Sequence, residues 1–154
     1  MGLDMYLNGR RYISKYFDEQ DGDRAAAIAE QFPEINGESS LGGSKVKEVI
    51  IEAGYWRKAN AIHRWFVDNV QGGEDECRPH YVSREQLKEL RELCETVLRE
   101  RERAAELLPS ANGFFFGSTD YDEYYFSDIE STIRIIDDCL ELPESWEFEY
   151  RSSW

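Results

Sequence analysis

Apolar positions along the chain follow two rhythms, a period of two and a period near 3.6, and the changes between them outline the elements. "GLDMYLNGRRYISKYF" alternates imperfectly around Asn8-Gly9, a pair suited to the positive φ angles of a tight turn, and predicts a hairpin of two short strands. "DGDRAAAIAEQF" predicts a short helix capped by Asp21 or Asp23, and a Pro/Gly/Ser-rich loop follows over about 33–44. "KVKEVIIEAG" predicts a strand over about 46–53, and "YWRKANAIHRWFVDNVQ" a helix from about 55 to 71, ended by Gly72-Gly73.

Ser83-Arg84-Glu85-Gln86 is a capping box. It opens a long helix whose inner face carries Leu87, Leu90, Cys94, Val97, Leu98, Ala105 and Leu108, ending before Pro109. "GFFFGS" predicts a buried strand. A second capping box at Ser127-Asp128-Ile129-Glu130 begins a helix with Ile129, Thr132, Ile133, Ile136 and Leu140 in one stripe, to about residue 141. "SWEFEYRSSW" sets Trp146, Phe148 and Tyr150 against Glu147, Glu149 and Arg151, a strand with one buried face. The irregular order of elements predicts one α+β domain over 1–154, a small, mostly antiparallel sheet packed with about four helices.

On a helical wheel, residues 55–71 divide into faces. Tyr55, Ala59, Ile62, Phe66 and Val70 form the core side, with Trp56, Asn60, His63 and Val67 along its edge. Arg57 and Arg64 flank that edge, and Lys58 and Trp65 fall on the far side. An indole, an amide, an imidazole and two guanidinium groups in line suit an anionic or planar ligand, although the same edge could be internal packing. "FFFGSTDYDEYY" is a second concentration, in which Ser118, Tyr121, Asp122 and Tyr124 make a candidate ligand-contacting loop or partners for Arg57 and Arg64.

Composition alters this picture mainly through charge. The formal net charge is −14, and residues 120–150 hold eleven acids against one base, Arg134. A chain so acidic is not expected to bind a nucleic-acid backbone, which requires cations on phosphates. It could instead meet a basic protein surface. No apolar run has the length of a membrane span, so a soluble, intracellular protein is expected. Cys77, Cys94 and Cys139 read as reduced thiols, the last two at apolar helical positions. Cys77-Arg78-Pro79-His80 has a metal-ligand spacing without a second pair, so no metal or cofactor is expected. Hydrolase motifs and glycine-rich phosphate loops are missing from the sequence, which leaves His63 with Asp122 or Glu123 as the one general-base arrangement to consider.

The blocks "MGLDMYL", "YWRKANAIHRWFVDNVQ" and "GFFFGSTDYDEYYF" together resemble a family of small acidic proteins encoded by bacteriophages and prophages. The resemblance implies a bacterial cytoplasm and an accessory role, and carries no catalytic residues with it. The expected function is binding: capture of an anionic, nucleotide-like ligand, in opposition to a host process such as immunity. The alternatives are an acidic inhibitor of a basic nucleic-acid-binding host protein and a nucleotide hydrolase.

Overall fold

The structure, a computed structural model describing residues 2–154, contains two compact units, one of the residues up to Gly9 with Ile51–Trp154 and the other Arg10–Ile50. Four strands, β1 (Asp4–Tyr12), β2 (Glu48–Arg57), β3 (His80–Val82) and β4 (Glu147–Ser153), form an antiparallel sheet in the order β2-β1-β4-β3. The helices are α1 (Asp21–Gln31), α2 (Asn60–Asn69), α3 (Arg84–Arg99), α4 (Ala104–Leu107) and α5 (Glu123–Glu141). The fold is α+β, as the irregular order of elements predicted.

In the first unit, period-two burial turns Leu3 just before β1, Met5 and Leu7 of β1, and Phe148 and Tyr150 of β4 towards the helices. Phe66 of α2 stacks on Tyr150 with ring centroids 3.9 Å apart, and Leu87, Leu90, Cys94 and Val97 of α3 meet Ile129, Thr132 and Ile136 of α5 in the same core. Gly54 lets α5 approach β2, since a Cβ there would lie 2.4 Å from Ile135 Cγ2. Burial pushes the thiols of Cys94 and Cys139 up to about 12, so both act as small hydrophobes, while Cys77 is exposed. Among the described residues no helix is long and apolar enough to cross a membrane.

In the second unit, Arg10 grips Glu48 with two nitrogens at 2.9 and 2.7 Å, and the Ile13 amide donates to Lys47 O. Asp21 does not cap α1, whose N-cap is Gln20 without a side-chain bond. Its buried carboxylate accepts from the Ser14 amide, Arg11 and Arg24. The Ser14 amide above all, then Arg24 and Arg11, hold it down at about 2 against the cost of burial.

Several sequence expectations are corrected. Asn8-Gly9 is not a turn: Gly9 lacks the positive φ a hairpin needs, and one buried alternation runs through both residues into a strand whose partner β2 lies about forty residues on. Tyr55, Trp56 and Arg57 continue β2 rather than opening a helix, and α2 starts only at Asn60. The long helix breaks at Glu100, whose φ/ψ of −125°/59° is not helical. Continued unbroken, the stripe of Leu90, Cys94 and Val97 would reach Arg101. The break turns Arg101 outward over the Phe126 ring at 4.4 Å and brings in Ala104 in place of the exposed Ala105. "GFFFGS" is a loop with Phe114 exposed, and the second capping box lies inside α5, whose true N-cap is Asp122. The Ser83–Gln86 box, the α5 stripe and the alternation of β4 stand as expected.

Candidate functional site

Residues 55–58 lie in strand and turn, which reverses the wheel's assignments at that end. Tyr55 is exposed and donates its hydroxyl to Asp4 Oδ1 at 2.5 Å. Trp56 is buried at 3% exposure, its indole N–H donating to Thr132 Oγ1 at 2.9 Å. Trp56 is therefore a core residue and not part of a binding edge. Lys58 then takes φ +59°, the left-handed region that side chains other than glycine rarely occupy. Its amide still donates to Leu3 O, and its carbonyl accepts from the Asn60 amide two residues on. The chain so passes from β2 into α2 in two residues, at a backbone cost of order 1 kcal/mol.

Asn60 and His63 are buried as well, and each has its polar atoms engaged. Asn60 Nδ2 donates to Phe116 O and Ser118 O at 3.0 and 2.8 Å, and its Oδ1 accepts from the Ala111 amide. The helix thereby fastens the loop of residues 110–118. The Phe116 ring meets His63 edge-on at 5.1 Å. Gly117, with φ +83°, lies against the Lys58 side chain, whose Cβ would be 3.2 Å from a Cβ added there. Arg64 reaches Ser110 O at 3.3 Å and Asp68 at 3.6 Å. The two blocks singled out in the sequence thus meet in space, through partners 46 to 58 residues apart.

His63 has neither Asp122 nor Glu123 as its partner. Nδ1 lies 2.8 Å from Tyr150 Oη and Nε2 3.0 Å from Asp75 Oδ2. Burial raises the Tyr150 phenol well above its ordinary range, so its hydroxyl keeps the proton, and it donates to Nδ1 in the neutral tautomer that places the imidazole proton on Nε2, against Asp75. His63 is enclosed by these partners and Phe116, and is not aimed at a substrate.

Beside this framework lies a cavity of about 270 Å³ between the start of α2 and the 117–129 segment. One wall carries Arg57, Lys58 and the first turn of α2. Ala59 at the N-cap offers no side-chain bond, and the amides of Ala61 and Ile62 find no acceptor among the described residues. The facing wall carries Ser118, Asp120, Asp122, Tyr124 and Asp128. Asp122 Oδ1 accepts from the amides of Tyr124 and Tyr125 at 3.1 Å and so caps α5. Tyr124 is exposed at the cavity, whereas Tyr121 stands aside, its hydroxyl accepting from the Ser110 amide. Of the nine residues expected at a site, Arg57, Asn60, Ser118, Asp122 and Tyr124 line the cavity, and Trp56, His63, Arg64 and Tyr121 do not.

Comparison with protein-family models, with curated proteins and with solved structures returns no match.

Lys58, Asp128 and the α2 amides are the site groups that sequence reasoning missed. Lys58 seemed remote only because a helix was drawn through it. Asp128, read as part of a capping box, is a half-buried carboxylate that burial, with Asp122 adding, raises from 3.8 to about 6. A folded-state value above the unfolded one makes Asp128 favourable to folding at low pH, and that contribution is lost as pH rises through about 6. Asp128→Asn is accordingly expected to stabilise the protein at pH 7.5 by about 1–2 kcal/mol, after discounting for partial exposure. The gain should vanish near pH 4. Urea denaturation at the two pH values checks this, and an equal difference at both would contradict it.

Proposed function

We propose that the protein is a binding protein that captures a small anionic, nucleotide-like ligand in the cleft between α2 and the 117–129 segment. The observation that carries this reading is the convergence of Lys58, of Arg57 (also 3.9 Å from Asp4) and of two helix amides without an acceptor among the described residues on one wall of a half-open cleft. Lys58 supports it further. Its ammonium has no ion-pair partner among the described residues and is open to an anion in the cleft. A lysine held in a left-handed conformation at a cavity is the kind of strain that accompanies binding sites. Together with the resemblance to phage-encoded proteins, this supports an accessory role in which a host molecule is sequestered.

The acidic-surface reading has less support, because Arg91 and Arg101 stand among the acids of α5, at Asp137 and at Glu123 and Glu130. The hydrolase reading loses the base that the sequence offered, since His63 is committed to Tyr150 and Asp75.

A calorimetric and thermal-shift panel of nucleotides and inorganic phosphate tests the proposal. Lys58→Met and Arg57→Met, which keep the aliphatic stems and remove the charge, are each expected to weaken binding about tenfold while the unliganded melting temperature stays within a few degrees. Failure of every nucleotide and of phosphate to bind, or binding unchanged in both variants, would overturn it.

A further inference from the structure

The wall facing Lys58 poses a problem that a simple anion does not solve. Arg57 and Lys58 bring two positive charges to the cavity, and Asp120, Asp122 and Asp128 bring three carboxylates. Asp122 is engaged at the α5 N-terminus. Among the described residues the Asp128 carboxylate has no hydrogen bond or ion pair, although its own backbone carbonyl is taken by the Thr132 hydroxyl at 2.7 Å. Lys58 does not neutralise it. A bare phosphate in this space would satisfy the α2 wall and leave a desolvated carboxylate facing more negative charge. A ligand that fits both walls has its anionic group at one end and hydrogen-bond donors at the other.

Building on the reading of the cleft as an anion site, we propose that Asp128 receives the vicinal hydroxyls of a ribose phosphate, so that the sugar decides which ligands are held. Two adjacent hydroxyls present two donors to the two oxygens of one carboxylate, which is how an acidic side chain reads a ribose in other folds. The dimensions agree. About 270 Å³ accommodates a sugar phosphate and leaves an attached base at the mouth, where the exposed ring of Tyr124 on the first turn of α5 offers an aromatic face. The phosphate falls to Lys58, Arg57 and the amides of Ala61 and Ile62. Asp128 thus becomes a specificity-determining residue.

The test titrates AMP, 2′,3′-dideoxy-AMP and inorganic phosphate into the wild-type protein and into Asp128→Asn and Asp128→Ala, both of which are expected to fold because the substitution removes an unfavourable charge. The wild type should prefer AMP to the dideoxy compound by about tenfold or more. Asp128→Ala should bring AMP down to the affinity of the dideoxy compound while phosphate binding is unchanged or tighter. Equal binding of AMP and its dideoxy analogue by the wild type, or a preference that survives in Asp128→Ala, overturns the assignment of Asp128 and leaves the anion site standing. No binding of either nucleotide or of phosphate to the wild type overturns the anion site and this inference with it.

Discussion

Trp56→Ala is expected to cost about 3–5 kcal/mol, the range for emptying a large buried aromatic site, out of a total stability of about 5–15 kcal/mol. The indole fills the gap between β2 and α5 beside Gly54, packs 6.0 Å from the Phe66 ring, and donates to Thr132. Thr132 in turn donates to the Asp128 carbonyl, so the alanine variant removes both a volume and the partner of a fully buried hydroxyl. Trp56→Phe keeps one ring in place and loses the N–H with the volume of the second ring, for an expected cost of about 2–3 kcal/mol, below that of the alanine variant. Because the indole does not line the cavity, Trp56→Phe should bind phosphate and nucleotides as the wild type does. Urea denaturation of both variants, with calorimetry on the phenylalanine variant, provides the check. A stable Trp56→Phe protein that had lost ligand binding would return Trp56 to the binding edge where the helical wheel placed it.

That wheel failed for a physical reason. Tyr55 and Trp56 favour a pleated surface, and Tyr55, Trp56 and Arg57 alternate exposed, buried, exposed, a period-two signal only three residues long. The helix that follows has Ala59 where a capping side chain would mark its start, and the break is made by a lysine in a conformation associated with glycine. α3 is the contrast. Ser83 and Gln86 satisfy each other locally, so its start could be read from four residues. The α5 stripe was legible for the same reason, because Ile129, Thr132 and Ile136 recur on one face whatever they touch. The site depends on distant pairings instead. Asn60 meets Ser118 58 residues away and His63 meets Tyr150 87 residues away, so the sequence showed which blocks were unusual but not which atoms were already engaged. Asp128 was hidden more deeply, since only the fold places it opposite the start of α2.

His63→Phe is expected to destabilise the protein by about 2–3 kcal/mol, even though the rings are similar in size, because it strands the Tyr150 hydroxyl in the core. Tyr150 is completely buried and stacked on Phe66, so water cannot replace the lost acceptor without disturbing that stack. Asp75 loses the imidazole N–H and keeps the Trp154 indole at 3.2 Å, which loosens the tie between the 70–79 loop and the end of the chain. Tyr150→Phe alone should cost about 1–2 kcal/mol, leaving His63 Nδ1 without its donor. The double variant carries two apolar rings against each other and no stranded hydroxyl, so its loss should fall short of the sum of the single losses by about 1 kcal/mol. A double-mutant cycle by urea denaturation measures that coupling. Strict additivity would mean that the two side chains are stabilised separately and that the bond between them contributes nothing. Binding distinguishes this role from a ligand-contacting one as well: with the imidazole enclosed by Tyr150, Asp75 and Phe116, His63→Phe should bind phosphate unchanged at temperatures where it remains folded.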